Sequence, residues 1–186
     1  MVRTGTTRMA ILRRHLLDYA LLAATAMIVP AGSNAGGATG PQIGDMFVTA
    51  AAPQGPSVRA SSVRVGAPPI LAWPRDPETG LARNDTRLNQ VLLLQTRDAN
   101  RQPGQLLGFS AICPHAACLV SQWVSAGSRL RCPCHDSEFD ATHAGTVVAG
   151  PSPFPLPLLP VQTVKDLLIV AGPFSAPPGG HTTRTM

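Results

Sequence analysis

Two runs of four consecutive apolar residues, Val91-Leu92-Leu93-Leu94 and Leu167-Leu168-Ile169-Val170, interrupt a chain that otherwise alternates between apolar and polar every few positions. Such runs read as strands covered on both faces, the inner strands of a sandwich, rather than strands with one face in water. Shorter apolar segments bounded by turn residues predict strands over Pro69 to Trp73, Leu88 to Thr96, Leu106 to Ile112, Val120 to Ser125, Leu130 to Cys132, Gly145 to Ala149 and Leu158 to Val164. The last pairs with Leu167 to Val170 through a tight turn at Lys165-Asp166. With 19 prolines and 17 glycines in 186 residues, long helices have little room. The pattern predicts an all-β fold, with Trp73 and Trp123 as packing residues.

The first residues follow another rule. Leu16 to Ala31 is apolar apart from Asp18, follows Arg13-Arg14 and ends in the small residues AGSNAGGATG. This is the grammar of an export signal, and the paired arginines resemble a twin-arginine signal; an ordinary secretory signal is the alternative. Ser33-Asn34-Ala35 offers a cleavage site. The clearly apolar part, about fourteen residues, is shorter than the ~20 that span a bilayer, although Tyr19 to Ala38 reaches across if alanine and glycine are counted. The expected organisation is a signal or membrane anchor over 1–35, a flexible Gly/Pro/Ser-rich linker over 36–56, a body over 57–173 and a polar tail over 174–186. The expected location is the periplasmic side of a bacterial cytoplasmic membrane, anchored or soluble.

Charge changes the picture only by exclusion. The formal net charge is +5, but Arg3, Arg8, Arg13 and Arg14 precede the first acid, leaving eleven basic against ten acidic residues in the remainder. A nearly neutral body gives no basis for binding nucleic acid.

All four cysteines fall in two short clusters, C-P-H-A-A-C from Cys113 to Cys118 (box one) and C-P-C-H from Cys132 to His135 (the start of box two). Thiolate sulfur and imidazole nitrogen are the ligands that zinc and iron-sulfur clusters prefer, so this density implies a metal site. A zinc ribbon normally presents two C-x2-C pairs, whereas each cluster here offers one sulfur and one nitrogen at ligand spacing. Two such loops suit a [2Fe-2S] cluster with two cysteines on one iron and two histidines on the other. A zinc-stabilised exported module stays open as the alternative.

The motif resembles that of Rieske proteins, in the branch of the quinol-cytochrome c reductases and the small subunit of arsenite oxidase. The resemblance implies a β-sandwich or barrel base bearing a smaller cluster-binding subdomain, about residues 107–155, made of two loops and a proline loop. It makes Cys113 and Cys132 the ligands of the inner iron and His115 and His135 those of the outer one. It also implies a disulfide between Cys118 and Cys134, in keeping with an oxidising compartment. Gly150-Pro151-Ser152-Pro153 resembles the proline loop that covers the cluster in this branch.

Around the ligands the match is uneven. Ser137 corresponds to a serine that donates to a bridging sulfide in high-potential members. Phe139 stands where those members have a tyrosine, Asp136 replaces the glycine after the last histidine, and Ala117 replaces the glycine before the second cysteine of box one. The Phe139 and Asp136 changes argue for a lower potential, the second by placing a carboxylate beside the cluster. His143 is expected on a turn, not as a ligand; His15 and His181 lie in the signal and the tail. The resemblance implies an electron-transfer protein that takes single electrons from quinol or a partner oxidoreductase complex and passes them to a c-type cytochrome, acting as a subunit rather than a stand-alone catalyst. A ferredoxin-like component of a ring-hydroxylating oxygenase is the alternative, less consistent with export and the second cysteine pair.

Overall fold

The computed structural model describes residues 40–97 and 102–180. The expected signal or anchor, with the cleavage site and His15, lies outside the described residues, as does His181. Among the described residues no helix is long and apolar enough to cross a membrane.

The described chain is all-β apart from two single 3-10 turns. Seven strands form one sheet: β1 (Met46–Thr49), β2 (Ile70–Arg75), β3 (Val91–Arg97), β4 (Pro103–Ser110), β9 (Leu158–Leu159), β10 (Val161–Val164) and β11 (Leu167–Val170). Their order is β10-β11-β1-β2-β3-β4-β9. The two outermost strands, β9 and β10, are separated in sequence only by Pro160, so the sheet curls until its edges nearly meet. A second sheet, β5 (Gln122–Val124), β6 (Arg129–Arg131), β7 (Glu138–Asp140) and β8 (Thr146–Ala149), is a simple antiparallel meander.

The run Val91 to Leu94 is buried at every position, and the reason is positional. Side chains alternate along a strand, so Val91 and Leu93 enter one core with Phe47, Val58, Ala72, Leu159 and Leu168, inside the curled sheet. Leu92 and Leu94 enter a second core with Phe109, Val120, Leu130, Phe139 and Leu156, between the sheets. β3 is thus a wall shared by two cores. Leu167 to Val170 behaves differently: Leu168 and Val170 are buried but Leu167 and Ile169 are only half-buried, because one face of this strand has no second layer. Its hairpin turns at Lys165 and Asp166, both left-handed (φ +48° and +67°), the backbone of the two-residue turns whose twist matches the flanking strands.

Several expectations are corrected. The linker does not extend to residue 56: β1 lies within it, paired on both sides, with Phe47 and Val48 wholly buried. Four strand residues among alanines, prolines and glycines are too few to show a period. The strand expected from Leu88 starts at Val91, after a 3-10 turn at Arg87–Asn89. β7, beginning three residues after His135, was hidden by the motif beside it. The subdomain is more than loops, since it contains the whole second sheet, and its expected start at 107 falls inside β4 of the large sheet. Phe174, the first residue of the expected polar tail, packs against the inner core.

One partly buried ion pair ties the start of the body to the approach to box one. Asp45, 1% exposed, accepts from Arg83 Nε (2.7 Å) and Nη2 (3.0 Å) and from the Gln42 N–H (2.7 Å). The Arg83 carbonyl accepts from buried Asn89 Nδ2 (3.1 Å), and the neighbouring Gln90 carbonyl accepts from the Ala111 N–H (2.9 Å), two residues before Cys113. Arg83 Nη2 also lies 3.3 Å from Asp76 Oδ2 and its side chain is 21% exposed, so loss of Asp45 removes charge-assisted hydrogen bonds without stranding the guanidinium. Asp45→Ala is therefore expected to lower unfolding stability by about 1 to 3 kcal/mol, read as a drop in the urea midpoint at unchanged slope. An unchanged midpoint would show that the pair carries no net stability.

Candidate metal centre

Box one and box two, here Cys113 to Cys118 and Cys132 to Ser137, share one backbone. In each, the first cysteine's N–H donates to the carbonyl five residues on (Cys118, 2.8 Å; Ser137, 2.9 Å). In each, the N–H four residues on donates back to that cysteine's carbonyl (Ala117 to Cys113, 3.0 Å; Asp136 to Cys132, 3.0 Å). Both fifth residues are left-handed, Ala117 at φ +52° and Asp136 at +59°, a conformation that favours glycine. Sequence comparison of the boxes hides this equivalence, because the histidine stands third in box one and fourth in box two.

Within these loops the structure separates sulfur from nitrogen. Cys113 and Cys132 are free thiols, each 1% exposed, in the core between the sheets beside Phe139 and Leu130. Burial pushes the Cys113 thiol up; the His115 backbone N–H directed at it acts oppositely, and Cys132 beside it adds to the rise. His115 and His135 are exposed, with Nδ1 atoms 3.2 Å apart and rings perpendicular. Two nitrogens bound to one tetrahedral ion at 2.0 to 2.1 Å lie about 3.3 Å from one another. The histidines are therefore spaced to share one metal through Nδ1, a fit of the donors to a two-sulfur, two-nitrogen site.

Cys118 and Cys134 form a disulfide with S–S 2.10 Å, joining the two loops. The sulfurs of Cys118, Cys132 and Cys134 lie within 4.8 Å of one another, but a bridged pair offers no thiolate, so this trio is not a ligand set. The cross-link instead sits beside the buried thiol.

Ser137 is buried, and its Oγ accepts from the Ser152 N–H (3.1 Å), docking Gly150-Pro151-Ser152-Pro153 on box two. The contact is close because Gly150 is left-handed (φ +81°) and a Cβ there would stand 2.4 Å from Ser137 Cα. Phe139 is wholly buried and faces Leu130 in the sheet register. Asp136 departs from expectation. Its carboxylate, 66% exposed, pairs with Arg131 Nη2 at 2.7 Å, which offsets the negative charge it brings to the site. Nothing in the sequence marks that pair except an acid five residues after a base. Sequence reasoning also missed Arg87, whose guanidinium donates to the Ala117 carbonyl. His143 lies on the turn between β7 and β8, 76% exposed, with Nδ1 2.9 Å from Asp140 Oδ2. Trp123 is half-buried against the core and its Nε1 donates to the Gly66 carbonyl (3.3 Å).

Residues 77–163 match the family model of the Rieske [2Fe-2S] domain. Among similar curated proteins, the cytochrome bc1 complex Rieske iron-sulfur subunit of Corynebacterium diphtheriae is 36% identical over 104 residues, covering 49% of this chain and 26% of that one. The cytochrome b6-f complex iron-sulfur subunit of a Desmonostoc species is 42% identical over 72 residues, 39% of this chain and 38% of that one. Among solved structures, the soluble domain of Rieske protein II from Sulfolobus acidocaldarius aligns at TM-score 0.39 and 28% identity, covering 42% of this chain and 45% of that one. The chain thus spans less than half the length of each of these relatives. Matched motif, family model and donor geometry agree: this chain carries a Rieske [2Fe-2S] domain.

Proposed function

We propose that the protein is an exported electron-transfer subunit whose cluster is held by Cys113 and Cys132 on the inner iron and by His115 and His135 on the outer one. The observation that carries the proposal is the split between two buried thiols and two exposed imidazoles with Nδ1 atoms 3.2 Å apart. Bound there, the [2Fe-2S] cluster supplies one-electron chemistry, and two neutral nitrogen ligands in place of thiolates set a window of about −150 to +300 mV. Burial of the cysteines keeps water from the sulfur side. Exposure of the histidines, with Nδ1 turned inward, leaves each Nε2 to hold a proton or a hydrogen bond toward an incoming partner.

The kinship with bc1 and b6-f subunits supports a quinol-oxidising or other oxidoreductase complex as donor and a c-type cytochrome as acceptor. Export by the twin-arginine-like signal, with or without retention as a membrane anchor, belongs to the same reading and agrees with the Cys118–Cys134 disulfide, a bond that persists in an oxidising compartment. Ser137 accepts through Oγ from Ser152, so its own hydroxyl proton remains to donate toward the cluster. Phe139 has no such proton.

Purified protein is expected to hold two irons and two acid-labile sulfides and to show a paramagnetic signal only when reduced. His115→Ala or His135→Ala should abolish the normal signal and His143→Ala should leave it unchanged; one zinc in place of iron and sulfide would overturn the assignment.

Protein-film voltammetry at fixed pH tests the surrounding hydrogen bonds. Phe139→Tyr should raise the midpoint potential by about 40 to 90 mV, the equivalent of a hydrogen bond of about 1 to 2 kcal/mol to a ligand sulfur. Ser137→Ala should lower it. Asp136→Gly should raise it by less than Phe139→Tyr does, because the carboxylate is 66% exposed and solvent and salt screen its charge. No upward shift in Phe139→Tyr, with the cluster intact, would show that this ring does not face a ligand sulfur.

The disulfide closes a separation of 16 residues, for which cross-linking contributes about 3 kcal/mol. Cys118→Ser is expected to lower the melting temperature and to speed loss of visible absorbance under an iron chelator, while Cys134 becomes reactive to a thiol reagent. An unaltered melting temperature would show that the bridge leaves the loops no more stable than their packing does.

A further inference from the structure

After β11 the chain runs back across the molecule to box one. Phe174 packs against the inner core, the Ser175 N–H donates to the Leu158 carbonyl (2.8 Å), and Ser175 Oγ accepts from the Leu158 N–H (2.9 Å). The segment then reaches Gly179-Gly180, both left-handed (φ +82° and +83°). A Cβ on Gly179 would touch Ile112 Cγ2 and Leu88 Cδ2 at 3.4 Å and Ala117 Cβ at 3.6 Å. A Cβ on Gly180 would stand 2.5 Å from the Pro114 carbonyl oxygen, closer than any side chain fits. Pro114 is buried here, although His115 and Ala116 immediately after it are exposed.

These contacts fall on both sides of one ligand position. Pro114 precedes His115, Ala117 follows it, and Ile112 lies at the root of the same loop; Arg87 holds the Ala117 carbonyl as well. Box two has its own cover, the proline loop that crosses it at Gly150. We propose that residues 174–180 are a strap that holds box one in the backbone conformation presenting His115, and that Gly180 is a positioning residue for that histidine. The functional half of this proposal rests on the reading of His115 as a ligand; the packing half does not.

The shared backbone of the two boxes supplies an internal control. The cluster-loaded full chain is compared with Gly180→Val, with a chain ended after Ala176, and with Gly80→Ala, another left-handed glycine (φ +71°) that has nothing within 4 Å of a built Cβ. Amide hydrogen exchange is followed by mass spectrometry in peptides covering box one and box two. In both strap variants, exchange in box one should rise about tenfold or more while box two stays within about twofold, and Gly80→Ala should change neither. The reduced-state paramagnetic spectrum should shift in the strap variants, since the strap acts through His115. Unchanged exchange in box one, or equal acceleration in both boxes, would overturn the strap. Faster exchange in box one with an unaltered spectrum would overturn the positioning of His115. Absence of the iron-sulfur signal from the unmodified protein would instead refute the ligand reading, and the exchange comparison would still decide the strap.

Discussion

Box one and box two close their backbone hydrogen bonds on themselves, so their separation has to be set by something else. Two contacts supply it: the Cys118–Cys134 bond on the outside and the shared burial of Cys113 and Cys132 on the inside. A metal centre with protein donors tolerates errors of only about 0.2 Å in its ligand distances. The second sheet and β3 therefore act as a frame whose function is to keep two short turns at a fixed distance.

The frame also explains the polarity of the site. The cysteine at the first position of each box points into the core between the sheets, where a thiolate is tolerated only against a metal. The histidines, two and three residues further along the same turns, emerge on the surface. One backbone conformation used twice thus places thiols and imidazoles on opposite sides.

Covering segments follow the same division. Gly150 lets the proline loop approach box two within a distance that any Cβ would prevent, and Gly180 does the same for the C-terminal segment against box one. In both places the close approach puts backbone against backbone, and the surrounding hydrogen bonds, Ser152 to Ser137 and Ser175 to Leu158, anchor the cover to an element already fixed by the core. Charges at the rim are managed locally: Arg131 lies between Asp136 and Glu138, and Arg129 pairs with Glu138. The Asp136 carboxylate in box two is thereby matched by a neighbour.

The sequence by itself determined the chemistry and the class of fold. Cysteine and histidine at ligand spacing are local signals, carried by residues two or three apart, and the run Val91 to Leu94 is a local record of burial on both faces. Even the Lys165-Asp166 turn is legible, because a two-residue connection between apolar runs leaves few backbone solutions. What only the tertiary structure decided depends on pairs far apart in the chain. β1 is a strand because β2 and β11 flank it, not because four residues announce it. The function of Gly180 is visible only when Pro114 lies beneath it, 66 positions earlier in the numbering. Asp136 reads as an added charge in sequence and as half of an ion pair in space. Burial and charge pairing are properties of neighbours, and the fold alone chooses the neighbours.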